Sequence, residues 1–246
     1  MGALYCNVEC QRKDWTAHKK QCTEAFVTRK GLEFSDGIRS LVELDATLAR
    51  QRRLAEAGDA CQQFNVAIAY DRGLGVGVDK KMAVFWYKKS ALAGYAPAQH
   101  SLAFAYCNAG EGVAVDKVEA EKWFKKSADK NYVESMFTLA NNNPNTFIYL
   151  SDRSQAMNWL KKAAARGHSQ AQCDLGYAYS SGKGIAVDYE QSVKWYKLSS
   201  ASGCAQAMRN LGNAYADGRG VPVNDKEAVK YWKTAVSLEN EVGQYW

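Results

Sequence analysis

The sequence predicts an all-α fold built as an array of helix pairs, and three observations carry that prediction. A twelve-residue pattern returns five times: AVFWYKKSALAG from Ala83, AEKWFKKSADKN from Ala120, AMNWLKKAAARG from Ala156, SVKWYKLSSASG from Ser192 and AVKYWKTAVSLE from Ala228. The ring at its fourth position falls at Trp86, Trp123, Trp159, Trp195 and Tyr231, in steps of 37, 36, 36 and 36 residues. A near-constant period between about 20 and 50 residues is the mark of a solenoid or array. Finally, each copy is punctuated as a helix. Asp79, Asp116, Asp152, Asp188 and Asn224 stand four residues ahead of it, where a side-chain oxygen can take the free N–H groups of a first turn. Gly94, Gly167 and Gly203 close three of the copies, as the residue that most readily takes a left-handed C′ position. This element is helix B.

Helix A precedes each B. It reads AQHSLAFAYCNAGEGVAVD from Ala98, AQCDLGYAYSSGKGIAVD from Ala171 and AQAMRNLGNAYADGRGVPVND from Ala205, with an earlier version from Asp59 to Asp79. Tyr70, Tyr106, Tyr179 and Tyr215 share one column, followed by a glycine turn. Small residues where helices cross, and rings where space must be filled, suit close antiparallel packing. One buried ring contributes about 1.5–3 kcal/mol, too little to order a lone helix pair, so the pairs must stack.

The columns A-x-x-W/Y-aromatic-K-K-x-A-x-x-G and A-x-x-x-L-G-x-x-Y-x-x-G-x-G-V-x-x-D resemble the Sel-1-like repeat, a relative of the tetratricopeptide repeat, over roughly Ala57 to Leu238. The resemblance implies a right-handed α-solenoid of antiparallel helix pairs whose concave face binds proteins, as in adaptors and scaffolds.

Near the N-terminus, YCNVECQRKDWTAHKKQC places Cys6, Cys10, His18 and Cys22 at C-x3-C-x7-H-x3-C spacing. Three thiolates and an imidazole are the ligand set of a structural zinc site, and on a helix the x3 spacing puts His18 and Cys22 on one face. The string, with Tyr5, Glu9, Gln11, Asp14, Trp15 and Lys19, resembles the second half of a MYND zinc finger. That family holds two zincs and supplies two further C-x-x-C pairs upstream. Those pairs are not in this sequence, so the expectation is a partial finger with zinc at Cys6, Cys10, His18 and Cys22. In the family the residues beside Gln11 and Trp15 help shape a groove for proline-containing peptides.

The expected organisation is therefore the partial finger at 1–24, a linker and degenerate capping helix at 25–57, five repeats at 58–239 and a tail at 240–246. Ile38, Leu41, Val42, Leu44, Leu48 and Leu54 give the capping helix an apolar stripe, and an array needs such a cover on its first face. The third repeat is irregular at 139–154, where LANNNPNTFIYLSDRS should end helix A early.

Composition narrows the function. With 47% hydrophobic residues and 3 prolines the chain reads as folded. A net charge of +6 is mild for 246 residues and speaks against a nucleic-acid partner. No apolar run approaches the length of a membrane span, and MGALYCNVEC lacks the parts of a signal peptide. Cys61, Cys107, Cys173 and Cys204 fall at unrelated phases of the repeat, which reads as buried thiols in a reducing compartment, cytoplasm or nucleus. Of the three histidines, His100 and His168 have no nucleophile at a motif spacing, and the glycine pairs are repeat turns rather than phosphate loops. The expectation is a non-enzymatic adaptor without a small-molecule substrate.

Its partners should be proteins or extended peptides, read by short polar groups on the A helices: Gln99, His100, Gln172, Asp174, Gln206, Arg209 and Asn210. The alternative is a nucleic-acid-associated or transcriptional regulator. It would use the finger and a lysine ladder, Lys88, Lys125, Lys161, Lys197 and Lys233, with Lys89, Lys126 and Lys162 beside it.

Overall fold

A computed structural model describes residues 37–141 and 153–243. Regular structure among them is entirely helical. The elements are α1 (Gly37–Glu56), α2 (Ala60–Arg72), α3 (Lys80–Leu92), α4 (Ala96–Cys107), α5 (Lys117–Asp129), α6 (Val133–Ala140), α7 (Arg153–Ala165), α8 (Ser169–Ser181), α9 (Tyr189–Ala201), α10 (Ala205–Asp217) and α11 (Asp225–Gly243). They fall into two compact units, one ending at Tyr132 and the other beginning at Val133. Within each unit every helix packs on the next.

The punctuation read from the sequence is made of hydrogen bonds. Asp79, Asp116 and Asp188 adopt extended backbone and accept from the amides of Met82, Glu119 and Gln191 at 2.9–3.0 Å. Asn224 does the same for Glu227 at 3.1 Å, while Asp152 lies outside the described residues. Each of these four cap residues also donates its own N–H to the carbonyl of the tyrosine column: Asp79 to Tyr70, Asp116 to Tyr106, Asp188 to Tyr179 and Asn224 to Tyr215. One residue thus starts helix B and ties it to the end of helix A. Replacing Asp116 by alanine is expected to cost about 1 kcal/mol, measured by thermal unfolding.

Close approach needs glycine at two kinds of place. In the A helices, a Cβ on Gly176 would meet the Tyr196 ring at 2.7 Å, and one on Gly212 would run into Trp232. In the turns, a Cβ on Gly220 would strike the backbone of Tyr189, at a φ of +74° that L side chains avoid. Asn131, at φ 67°, takes the left-handed C′ position that Gly94, Gly167 and Gly203 fill in other copies.

The core differs from the sequence reading in one respect. In the third and fourth copies the residue after the repeated tryptophan is the deeper one: Leu160 and Tyr196 are buried, whereas Trp159 and Trp195 are only partly so. In the first two copies both positions are buried, and in the fifth Trp232 is exposed. Polar latches stitch the helices together. Ser90, Ser127 and Ser199 donate from helix B to the first-turn carbonyls of the preceding helix A (Ala60, Ala96 and Ser169) at 2.5–2.8 Å.

At the start of the first unit α1 packs on α2. Leu48 and Ala55 are buried there, Leu54 is exposed, and the Arg52 guanidinium donates to the Tyr70 hydroxyl. The irregular third copy shows as a short helix A, eight residues in α6 against thirteen in α8. Its asparagine-rich continuation from 142 to 152 lies outside the described residues.

Candidate protein-interaction site

The A helices α8 and α10 of the second unit present equivalent faces to solvent. On α8 the face runs Gln170, Asp174, Tyr177, Ser181; on α10 it runs Gln206, Asn210, Asn213, Asp217, each residue 36 positions on from its counterpart. These spacings of four, three and four residues keep one side of a helix. Tyr177 is 54% exposed, more than any other ring among the described residues. The two faces meet in a cleft of about 150 Å³. Tyr177 and Ser180 line it from α8, Asn210, Asn213 and Asp217 from α10, and Tyr189 with Tyr196 from α9.

The polar groups are held in register. Gln170 Nε2 donates to Asp174 at 2.9 Å and Gln206 Nε2 to Asn210 at 3.3 Å. Arg209 donates to Gln206 Oε1 at 2.6 Å, and Trp232 Nε1 donates to Asn213 Oδ1 at 3.1 Å. At the cleft mouth the Arg219 guanidinium lies 5.9 Å from the Tyr189 ring centre and 3.5 Å from the Asp217 carboxylate. Burial raises the Tyr196 phenol above its usual range, so it stays a neutral hydrogen-bonding group. The arrangement offers amides, two carboxylates and aromatic surface, which suits hydrogen bonding to an extended backbone better than attracting a polyanion.

Of the seven residues assigned to partner binding, Asp174, Gln206, Arg209 and Asn210 stand on this face. Gln99 and Gln172 do not reach solvent. They are 3% and 6% exposed, and their amides donate to Ala91 and Ala164 at 3.0–3.1 Å, as Gln63 does to Ala55. This glutamine column grips the end of the preceding helix B, a structural job that its spelling, identical to a surface glutamine, does not reveal. His100 is also packed inward, edge-on to Phe104, Phe124 and Tyr132 at 4.8–5.3 Å. Tyr177, Asn213 and Asp217 escaped the sequence reading, although comparing α8 with α10 column by column would have found them.

Within the lysine ladder, Lys88, Lys161, Lys197 and Lys233 are exposed and take no carboxylate among the described residues. Lys125 pairs with Glu121 at 2.7 Å. The neighbouring column lies over rings: Lys126 is 3.9 Å from the Trp123 centre, Lys162 4.2 Å from Trp159, and Lys89 4.9 Å from Trp86. Such cation–π contacts lay the lysine stems over the rings and leave each ammonium charged. Cys6, Cys10, His18 and Cys22 lie outside the described residues, and among the described residues no cluster of metal-ligating groups occurs.

The Sel1 repeat family model matches residues 63–95, 96–132, 149–168, 169–204 and 205–240. The chain belongs to the Sel1 repeat family. A second family model, the MYND finger, matches residues 1–22. Among solved structures, the chain is similar to a Sel1 repeat protein from Oxalobacter formigenes, with 29% identity and a TM-score of 0.70 over 82% of this chain and 58% of that one. It is also similar to a protective antigen of uropathogenic Escherichia coli strains that displays an SLR fold, with 27% identity and a TM-score of 0.75 over 98% of this chain and 50% of that one. The chain thus spans between half and three-fifths of the length of these two relatives. No curated protein matches it. The short third match, 149–168, is the Sel1 repeat whose helix A stops at Ala140. Among the described residues no helix is long and apolar enough to cross a membrane.

Proposed function

We propose that this Sel1 repeat chain is a non-enzymatic adaptor that holds an extended segment of a partner protein on the exposed face of α8 and α10. Repeats of this class typically bind other proteins. The observation that carries the reading is the cleft, where Tyr177, Asn210, Asn213 and Asp217 converge from two repeats. Asn213 uses its oxygen on Trp232, so its NH₂ group can meet a partner carbonyl, and Asp217 can accept a backbone N–H. Tyr177 supplies apolar contact to side chains beside them. Converting Asp174, Arg209 and Asn210 to alanine together should lower affinity for peptides selected on the wild-type chain at least tenfold, measured by fluorescence anisotropy, with the melting temperature little changed. Converting Lys125, Lys161 and Lys197 to glutamine should matter far less. The reverse ranking would move the binding site to the lysines and favour the nucleic-acid reading.

Residues 1–22 add zinc binding to the proposal. The match to the MYND finger supports it, and so does the donor chemistry of three thiols and one imidazole at Cys6, Cys10, His18 and Cys22. These four make one zinc's ligand set. Two of the other cysteines are poor donors: burial pushes the Cys107 thiol up to about 11 and the Cys173 thiol up to about 12. Elemental analysis after dialysis should therefore find one zinc per chain at most, and Cys22→Ser should lower it without changing the far-UV helix signal. Two tightly held zincs would show that other residues complete the finger. Buried thiols at Cys61, Cys107 and Cys173 support a reducing location, cytoplasm or nucleus.

A further inference from the structure

Helix α3 breaks the pattern of its sister B helices on the side away from the core. Its buried residues, Ala83, Trp86, Tyr87, Ser90 and Ala91, occupy one half of the helix. On the opposite half stand Lys81, Phe85, Lys88 and Leu92, spaced four, three and four residues apart, with Lys89 at the edge. Phe85 is 47% exposed and Leu92 67%. In the other copies the Phe85 column holds Lys122, Asn158, Lys194 and Lys230, and the Leu92 column holds Asp129, Ala165, Ala201 and Ser237. The array therefore does not need large apolar side chains at these positions. Four copies leave these two columns polar or small, whereas the apolar side chains that α9 and α11 expose, such as Leu198 and Trp232, stand in other columns.

Charge on this helix is of one sign, as it is on α7, where the charged residues are Arg153, Lys161 and Lys162. The four charged residues of α3, Lys80, Lys81, Lys88 and Lys89, are all basic. Lys80 is held by Asp71 at 2.7 Å and Glu111 at 3.0 Å. Lys81, Lys88 and Lys89 take no carboxylate among the described residues, while on α5 Lys122 and Lys125 pair with Glu119 and Glu121. Lys89 Nζ sits 4.7 Å from the Phe85 ring centre, and the Phe85 and Trp86 rings meet edge to face at 5.3 Å. The stripe is thus two apolar anchors seven residues apart, about 10 Å along the axis, flanked by three cations without counter-charges.

We propose that this stripe docks an acidic segment of a partner protein. The matching segment carries two apolar side chains about 10 Å apart, at i and i+7 of a helix, with aspartate or glutamate beside them. Complementary charge steers such a segment in and excludes basic ones, and the two apolar anchors supply contact that holds at moderate salt. A lipid surface is the poorer fit, because an interfacial helix presents a broad apolar face and this one offers two side chains. The site is separate from the α8–α10 cleft, and neither reading depends on the other.

The test is peptide display against the full chain, counter-selected on Phe85→Lys/Leu92→Asp, which installs the residues that α5 carries in the same columns. Peptides retained only by the wild type should be rich in aspartate and glutamate, with apolar residues at i and i+7. By fluorescence anisotropy they should bind the double variant at least tenfold more weakly, with both proteins giving the same circular dichroism and melting temperature. Lys88→Gln/Lys89→Gln, which leaves the apolar anchors in place, should weaken binding and flatten its salt dependence; this second variant keeps the test decisive if the first melts early. Selection of neutral or basic peptides, or equal binding by all variants, overturns the proposal. So does Phe85-dependent binding to phosphatidylserine vesicles with no acidic peptide selected, which would assign the stripe to a membrane.

Discussion

Replacing Phe124 by alanine is expected to destabilise the first unit by about 3–5 kcal/mol, while Trp232→Ala, in the same column three repeats on, should cost about half as much or less. Both residues follow the repeated ring of helix B, and by sequence the tryptophan is the larger apolar loss. Burial reverses the order. Phe124 is fully buried, edge-on to Phe104 at 5.2 Å and to His100 at 5.3 Å, and truncation leaves a cavity that two helices cannot easily close. Trp232 is 38% exposed, with Gly212 beneath it and its indole N–H on Asn213. Part of its surface is already in water, and water can fill what alanine vacates. Urea titration of each variant, followed by far-UV circular dichroism, measures both costs. Equal losses would mean that stacking, not local burial, sets the energetics of this column.

That contrast marks what the sequence could convey. Period, caps and turns were legible because each rests on a residue with a private conformational use: Asp116 and Asp188 accept first-turn amides, and Gly167 and Gly203 take positive φ. Such signals are local, so the chain spells them directly. Which of two adjacent apolar residues goes deeper is a property of the neighbouring helix, and the sequence reading singled out Trp159 and Trp195 without weighing Leu160 and Tyr196. The glutamines fail for the same reason. Gln99, Gln172 and Gln206 look alike on paper, yet the first two donate to carbonyls of the preceding helix and the third lies in solvent beside Asn210. A polar residue's role in an array is set by what stacks on it. Column-by-column comparison recovers part of this, because Gln63, Gln99 and Gln172 share one column and Gln206 stands in another.

Acid should weaken the first unit well above the range where carboxylates titrate, and His100 is the reason. Its imidazole is ringed by Phe104, Phe124 and Tyr132, and burial pulls its pKa from 6.5 down to about 3. The unfolded chain takes up a proton near pH 6.5 that the folded chain refuses until about pH 3. Stability is therefore full above pH 6.5 and falls as pH drops through that window, by about 1.4 kcal/mol per unit. At pH 5 the loss is about 2 kcal/mol, before an ordinary aspartate or glutamate gains a proton. His168 adds to the effect in the second unit. It too is held below its usual range by burial, although Glu134 and Asp174 oppose the shift. Its Nδ1 accepts the Ala171 amide at 3.1 Å as the cap of α8, beneath a stacked Phe137 ring at 4.1 Å. Protonation at that nitrogen removes the acceptor. Thermal unfolding of wild type and His100→Leu between pH 7.5 and 5 separates the two residues. The variant should lose the acid slope of the first unit and keep that of the second. An unchanged slope would mean that water reaches the His100 ring and that its proton is not excluded by the aromatic cluster.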